Sequence, residues 1–236
     1  MRQITLVLLP GLDGTGRLFE PLIEVLPTYL NPFVISYPTD RFLGYSELSK
    51  YVLEKIPQDE PIVLLAESFS GAVAIELMAS YPSNIQALIL CASFVTNPAP
   101  RVFNRIGFIF NPQLFKMRPP APIVRHFLLG QDASSDSVNT FLEVLKSVSP
   151  QVLSSRLQSV LEVDATEALR QCRVPILYLA AKRDKLVGKR SLTEIKSLAP
   201  TVEAATIDAS HFLLQSRPKE AIKVIENFLC RVVRNI

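Results

Sequence analysis

A serine stands at the point where a predicted strand turns into a predicted helix. The apolar run 62–66 leads directly into Ala-Glu-Ser-Phe-Ser-Gly at residues 66–71, and a helical pattern follows. A turn this sharp strains the backbone of Ser68, requires small neighbours such as Ala66 and Ser70, and raises the hydroxyl above the sheet edge. The helix N-terminus beneath it favours developing negative charge. Ser68 is therefore a candidate nucleophile, although an ordinary turn serine would give the same pattern.

A glycine-rich loop follows the first predicted strand. Residues 9–16 read Leu-Pro-Gly-Leu-Asp-Gly-Thr-Gly, with three of the chain's eight glycines within six residues. The loop lacks the Gly-Lys-Ser/Thr ending of a phosphate-binding loop and the third glycine of a dinucleotide site. Beside a nucleophile, the loop could supply backbone donors instead, with the N–H groups of Leu12 and Phe69 forming an oxyanion hole. A plain glycine turn is the alternative.

Only two histidines could serve as the base that activates Ser68. His211 comes shortly after the apolar run 202–207, so it should lie at the carboxyl end of a strand, where open parallel sheets gather their catalytic groups. His126 has no predicted strand before it, and we interpret it as a surface or cap residue. Two histidines also exclude a three-histidine metal site within one chain.

Three aspartates compete for the role of orienting the histidine. Asp184 follows the apolar run 175–181 and should reach the same edge of the sheet, although it stands among cations and could be a solvated carboxylate. Asp164 and Asp208 are the rivals, but Asp208 is too close in the chain to His211 to approach its ring from behind. Ser68, Asp184 and His211 then follow the chain order of an α/β-hydrolase triad.

The elements that must position these residues alternate along the chain. Most of the predicted strands are continuous apolar runs, which is typical of a parallel sheet covered by helices on both faces. We predict six strands, at residues 4–9, 33–37, 62–66, 87–92, 175–181 and 202–207. Amphipathic patterns between them predict helices at 19–26, 46–56, 70–80 and 221–233. This order predicts an α/β fold with a doubly wound, mostly parallel sheet.

One segment interrupts the alternation between the fourth and fifth strands. Residues 97–164 are rich in proline at first and show helical patterns later, at 137–146 and 151–161. A structureless loop of this length would be unusual, so we predict a helical cap at 97–164 on a core formed by 1–96 and 165–236. The cap interleaves cations with phenylalanines, at Arg101, Arg105, Lys116, Arg118 and Arg125 and at Phe103, Phe108, Phe110, Phe115 and Phe127.

The composition excludes several other classes of protein. The chain has 236 residues, 48% of them hydrophobic and 20% charged, which indicates a globular α/β domain. A net charge of +3 is too weak to predict nucleic-acid binding. The longest apolar runs fall far short of the about 20 residues that a membrane-spanning helix needs. Three cysteines without a Cys-x-x-Cys spacing argue against disulfides and favour a cytoplasmic location.

These motifs together resemble the α/β-hydrolase superfamily over essentially the whole chain. The matching pieces are the glycine-rich loop at 9–16, the serine turn at 66–71, the strand and acid at 174–187, and Asp-Ala-Ser-His-Phe at 208–212. Within the superfamily the chain is similar to small bacterial esterases and, more loosely, to the hydrolase part of phytyl ester synthase-like acyltransferases. It departs from the usual pattern in having Pro10-Gly11 for His-Gly, Glu67 before the nucleophile, and no opening antiparallel strands.

The resemblance implies a serine hydrolase of carboxylic esters with Ser68 as nucleophile, His211 as base, Asp184 as the orienting acid, and Leu12 and Phe69 as oxyanion residues. No cofactor or metal is implied. The cap's aromatic and cationic residues favour a moderately apolar acyl ester, either lipid-like or bound to an acyl carrier, although a lid with solvated cations explains them too. An acyltransferase or thioesterase with the same triad is the closest alternative, and a non-catalytic ligand-binding relative is a third. Oligomeric state is not predicted.

Overall fold

The protein is described here from a computed structural model, which covers residues 3–79, 83–98 and 119–233. Its described strands form one parallel six-stranded sheet in the order β2-β1-β3-β4-β5-β6. The strands are β1 (Ile4–Leu9), β2 (Leu30–Val34), β3 (Ile62–Glu67), β4 (Ile85–Cys91), β5 (Ile176–Ala181) and β6 (Glu203–Ile207). The predicted α/β-hydrolase sheet is therefore confirmed.

Helices connect the strands and cover both faces. Around the core lie α1 (Glu20–Ile23), α2 (Tyr45–Lys55), α3 (Ser70–Met78), α7 (Thr166–Gln171), α8 (Lys189–Leu198), α9 (Leu213–Ser216) and α10 (Pro218–Val232). Between β4 and β5 lie α4 (Ala121–Val124), which continues as a π-helix over Arg125–Leu129, then α5 (Ser135–Lys146) and α6 (Pro150–Glu162). Four described helices, α4, α7, α8 and α9, were not predicted. Helices α4, α7 and α9 have only four to six residues, and α8 was missed although Leu192, Ile195 and Leu198 form an apolar stripe on it.

Alternate residues of each central strand enter two separate hydrophobic cores. In β1, Val7 and Leu9 pack with α2 and α3, whereas Leu6 and Leu8 pack with the face that contains α10. Both sets are completely buried. Burial on both faces explains why the strands read as unbroken apolar runs in the sequence. Burial of each such aliphatic side chain stabilises the fold by about 2 kcal/mol.

The second strand lies earlier in the chain than predicted. The prediction was 33–37, but β2 runs over Leu30–Val34 and pairs with β1 from Ile4 opposite Leu30. The sheet places this strand at its edge, where Pro32 is tolerated because its missing N–H faces away from the ladder. The apolar residues that misled the prediction, Ile35 and Tyr37, are buried in the loop beyond the strand.

The segment between β4 and β5 folds as helices in its described part. Its apolar cluster includes Val138, Phe141 and Val144 of α5 and packs on Phe212, next to the predicted base. Most of the cation and phenylalanine pattern, from Arg101 to Arg118, lies outside the described residues. The division into a core and a cap at 97–164 therefore stays a prediction. No described helix is long and apolar enough to cross a membrane.

Candidate active site

Ser68 occupies a sharp turn between β3 and α3. Its φ of 49° lies in the left-handed region, which residues other than glycine rarely adopt. Three hydrogen bonds hold the turn. Ser68 N donates to the Cys91 carbonyl at 2.8 Å, and the Ser68 carbonyl accepts from the Ser93 hydroxyl at 2.7 Å and from Gly71 N at 3.1 Å. A Cβ on Gly71 would lie 1.7 Å from the Ser93 Oγ, so only glycine fits there. The surrounding structure thus maintains a strained turn that presents the serine hydroxyl.

His211 connects the serine to an aspartate. Its Nε2 lies 2.9 Å from the Ser68 Oγ, and its Nδ1 lies 2.8 Å from the Asp184 Oδ2. The side chains of His211 and Asp184 are 5% and 3% exposed, so water hardly reaches this contact. The second Asp184 oxygen accepts the N–H groups of Leu186 and Val187, which fixes the carboxylate in the loop after β5. The three predicted residues therefore form one hydrogen-bonded chain.

The electrostatics of His211 suit a general base. Burial alone would lower the pKa of its imidazole, but the negative charge of Asp184 and the hydrogen bond to it outweigh burial, so the pKa is raised above its usual value. A base must be neutral to accept a proton, and the catalytic efficiency of such a group is greatest when its pKa lies near the working pH. Asp184 also fixes the tautomer that leaves Nε2 free to face the serine.

The structure places the rival residues elsewhere. Asp208 is exposed and forms an ion pair with Arg183 at 2.8 Å. Asp164 accepts hydrogen bonds from a threonine two residues further along the chain. His126 lies on the surface of the π-helical turn, 2.7 Å from the Lys185 Nζ. None of these three residues contacts Ser68 in the described part of the chain, and His126 is exposed, as interpreted from the sequence.

The glycine-rich loop lies beside the nucleophile. Leu12 and Phe69 line the same cavity as Ser68 and His211. Neither Leu12 N–H nor Phe69 N–H makes a hydrogen bond to any described residue. Leu12 is half-buried and Phe69 is buried, and unpaired N–H groups beside a cavity can donate to a ligand oxygen. Gly14 adopts a φ of 74°, which lets the loop turn back toward the sheet.

A cavity of about 920 Å³ extends from Ser68 to the helices between β4 and β5. Its wall is largely apolar, and α5 and α6 supply much of it through Phe141, Leu142, Leu145, Leu153, Leu157, Val160 and Leu161. Apolar cavities of this size hold drug-sized or acyl-chain ligands. The arrangement can therefore hold an apolar acyl group with its carbonyl near the serine. The described residues contain no group of three His, Cys, Asp or Glu that could hold a metal ion.

A buried glutamate lies directly behind the nucleophile. Burial raises the pKa of Glu67 to about 7, while a hydrogen bond from Gln215 and the charge of His211 oppose that rise. The Gln215 Nε2 donates to the carboxylate at 3.0 Å. From the sequence Glu67 was noted only as a departure from the usual histidine. Its hydrogen bond with Gln215 could not be predicted, because Gln215 lies 148 residues away in the chain.

Arg156 is a second buried charge that the sequence analysis did not find. It lies in α6 with 1% of its surface exposed, and its guanidinium donates to three backbone carbonyls. The helical periodicity of the sequence did indicate that this arginine is buried, because Arg156 lies on the apolar stripe formed by Val152, Leu153 and Val160. A cation on the apolar face of a helix indicates a specific buried partner.

The parallel sheet and the turn that presents Ser68 define the chain as an α/β-hydrolase. Residues 45–209, more than half of the chain, match the family described as Serine aminopeptidase, S33, and the chain belongs to this family.

Two curated relatives are similar over nearly their whole length. The pimeloyl-[acyl-carrier protein] methyl ester esterase of Aeromonas hydrophila is 25% identical, over 95% of this chain and 94% of the relative. The enzyme of the same name from Yersinia enterocolitica is 24% identical, over 94% and 92%. Among solved structures, a thermophilic esterase from Thermogutta terrifontis has a TM-score of 0.79 at 16% identity, covering 98% of this chain and 91% of that one. Its likeness supports the fold. The predicted class, a carboxylic-ester hydrolase, is confirmed by the family and the esterase relatives.

Proposed function

We propose that this protein hydrolyses carboxylic esters with moderately apolar acyl chains, through Ser68, His211 and Asp184 and a covalent acyl-enzyme. The observation that carries the proposal is the hydrogen-bonded chain from Ser68 to Asp184 at the mouth of a largely apolar cavity. In the first step His211 takes the Ser68 proton as Oγ attacks the ester carbonyl. The tetrahedral oxyanion accepts hydrogen bonds from the Leu12 and Phe69 N–H groups.

The later steps reuse the same groups. The tetrahedral intermediate collapses as the bond from its carbon to the alcohol oxygen breaks, His211 gives its proton to that oxygen, and the acyl group stays on Ser68. Water then attacks the acyl-enzyme with His211 as base, and the acid leaves with the proton returned to Ser68. Asp184 remains ionised and stabilises the imidazolium in both steps. The reaction needs no metal or organic cofactor.

The substrate class follows from the relatives and the cavity together. The curated relatives are named for a methyl ester of an acyl group carried on acyl-carrier protein. We therefore propose an ester at the end of an acyl chain, with the chain in the apolar cavity and the acyl carrier as the partner outside it. We retain the prediction of a cytoplasmic location.

The test of the proposed function is labelling with a fluorophosphonate, which reacts with activated serines. Wild type should be labelled at Ser68, and Ser68→Ala should lose both labelling and ester hydrolysis. Loss of a serine nucleophile lowers turnover by about 10⁶-fold in enzymes of this kind. Ser197→Ala, a change on exposed α8, is the matched control and should behave as wild type. Folded wild-type protein that resists labelling would favour the ligand-binding alternative.

A second experiment separates hydrolysis from the acyltransferase and thioesterase alternatives. The substrate is a carrier-bound dicarboxylic acyl chain with a methyl ester at its free end. We expect release of methanol with the carrier thioester intact. Release of the carrier would assign a thioesterase, and transfer of the acyl group to an added alcohol, faster than to water, would assign an acyltransferase.

A further inference from the structure

Arg156 reaches from α6 into the glycine-rich loop. Its Nη1 donates to the Leu12 carbonyl at 3.0 Å and to the Asp13 carbonyl at 2.7 Å, and its Nη2 donates to the Pro38 carbonyl at 2.9 Å. Two of these acceptors belong to consecutive residues of the loop. The guanidinium therefore fixes the peptide groups immediately after the Leu12 N–H, from a helix 144 residues away in the chain.

A second anchor holds the same loop from the core. The Ser70 hydroxyl donates to the Pro10 carbonyl, and the hydroxyls of Ser70 and Tyr37 lie 2.7 Å apart. The Arg156 guanidinium carbon lies 5.7 Å from the centre of the Tyr37 ring, so the two anchors also face each other. The Leu12 N–H thus lies between a carbonyl held by the core and two carbonyls held by α6.

The glycine at position 14 is required by this contact. A Cβ there would lie 2.3 Å from the Arg156 Nη1, and the φ of 74° is also unfavourable for a side chain. The guanidinium consequently packs against bare backbone. A larger residue at position 14 would push it away from the carbonyls of Leu12 and Asp13. The glycine-rich sequence and the buried arginine are therefore two parts of one arrangement.

Arg156 stabilises this arrangement at a considerable cost. Burial lowers the pKa of its guanidinium, which the negative charge of Asp13 partly offsets. Its Nε has no hydrogen-bond partner among the described residues. An apolar side chain on the same helical stripe would avoid both costs, since buried charges rarely stabilise a fold more than apolar replacements do. The contacts it makes suit a role in placing the loop more than a role in stability alone.

We propose that Arg156 is a positioning residue, which holds the backbone at Leu12 and Asp13 so that the Leu12 N–H points at the oxyanion. The inference rests on the proposed function, because it assumes that Leu12 is an oxyanion residue. It also makes α6, a helix of the predicted cap, part of the reaction machinery, because a displacement of α6 would release the Leu12 N–H as well as open the cavity. Substrate binding in the apolar cavity and oxyanion stabilisation are then coupled through one side chain.

The test compares Arg156→Met and Arg156→Lys with Arg170→Met, a matched change at an exposed ion pair on α7. We expect Arg156→Met to lower kcat by about 100-fold with little change in KM, since loss of one oxyanion donor has an effect of this size. Arg156→Lys should be intermediate, because an ammonium cannot span separated carbonyls as a planar guanidinium does. Arg170→Met should match wild type. Assays are run well below the melting temperature of each variant.

Two further readouts separate positioning from stability. A boronic acid that forms a tetrahedral adduct on Ser68 mimics the oxyanion, so its inhibition constant should rise in parallel with the loss of kcat. Ethylguanidinium should partly restore kcat in Arg156→Ala and leave wild type unaffected. A lowered melting temperature with unchanged kcat and boronate affinity would contradict the inference, while Ser68 labelling of wild type would leave the proposed function intact. If Arg156→Met does not fold, kcat and boronate affinity of Arg156→Lys test the inference in its place.

Discussion

The sheet edge and the helices between β4 and β5 form opposite walls of one cavity, but different interactions position their side chains. At the sheet edge each proposed catalytic side chain follows its own strand, and local turns fix it: Ser68 after β3, Asp184 after β5 and His211 after β6. The opposite wall depends on helices whose apolar faces pack on each other and on Phe212. In the proposed function, the first wall carries the groups that react with the ester, and the second wall contacts the acyl chain.

The difference explains what the sequence could reveal. A residue just beyond an apolar strand must lie at the carboxyl edge of a parallel sheet, so topology alone brings Ser68, Asp184 and His211 together. No comparable rule places α5 and α6, because an amphipathic pattern predicts which face of a helix is buried but not which element that face packs against. We therefore expect changes at the edge to alter turnover for every ester, and changes in α5 or α6 to alter preference among esters.

Among changes that leave the Ser68 hydroxyl in place, the largest effect should come from Asp184→Asn. The amide would keep the fold and the packing of the loop but would favour the wrong His211 tautomer, so turnover should fall by about 10⁴-fold for short and long esters alike. Steady-state hydrolysis of a nitrophenyl ester series measures this. Asp208→Asn and Asp164→Asn are the matched controls and should remain near wild type. A larger loss for Asp164→Asn would show that the acid has been assigned wrongly.

Changes in the cavity wall should instead alter how kcat/KM depends on the length of the acyl chain. In wild type kcat/KM should increase about fourfold for each methylene added to the acyl chain, up to the length that fills the cavity, since burial of a methylene contributes about 0.8 kcal/mol. Leu157→Phe narrows the cavity from α6 and should remove this gain for long chains while leaving acetate unaffected.

Gln158→Phe, the neighbouring exposed position on the same helix, is the control for that change. It adds the same ring outside the cavity, so its chain-length profile should match wild type. If both variants lose acetate and long-chain activity equally, α6 affects the reaction at the sheet edge more than the fit of the acyl chain. A wild type that accepts only acetate would contradict the proposal of an apolar acyl pocket.

Much of the fold and the edge of the site could be predicted from sequence, and the failures have physical causes. Strand β2 was placed too late because Ile35 and Tyr37 are buried by the loop rather than by the sheet. Arg156 was missed because its acceptors are backbone carbonyls, which carry no sequence signature. Gln215 was missed because only tertiary structure brings it to Glu67. Periodicity reveals which face of a helix is buried but does not identify long-range polar partners.

The smallest expected effect comes from Glu67→Gln, which keeps the shape behind the nucleophile and removes a charge. Above its own pKa of about 7, Glu67 is charged and helps to raise the pKa of His211, so loss of this charge should lower the His211 pKa slightly. His211 is active only when neutral, and the acid limb of the kcat/KM profile should therefore move to lower pH. Glu54→Gln, an exposed change on α2, is the control and should leave the limb in place.

The same variant tests the burial of Glu67 through stability. Because burial raises the Glu67 pKa from 4.5 to about 7, the folded state favours the neutral acid. This contribution is fully present below pH 4.5 and is lost as the pH rises toward 7. Two and a half pKa units correspond to about 3 kcal/mol in the free energy of unfolding. Glu67→Gln lacks this pH dependence, so its melting temperature relative to wild type should rise between pH 5 and 8. A constant difference over that range would mean that Glu67 stays charged, and that the sheet edge tolerates a permanent second anion beside His211.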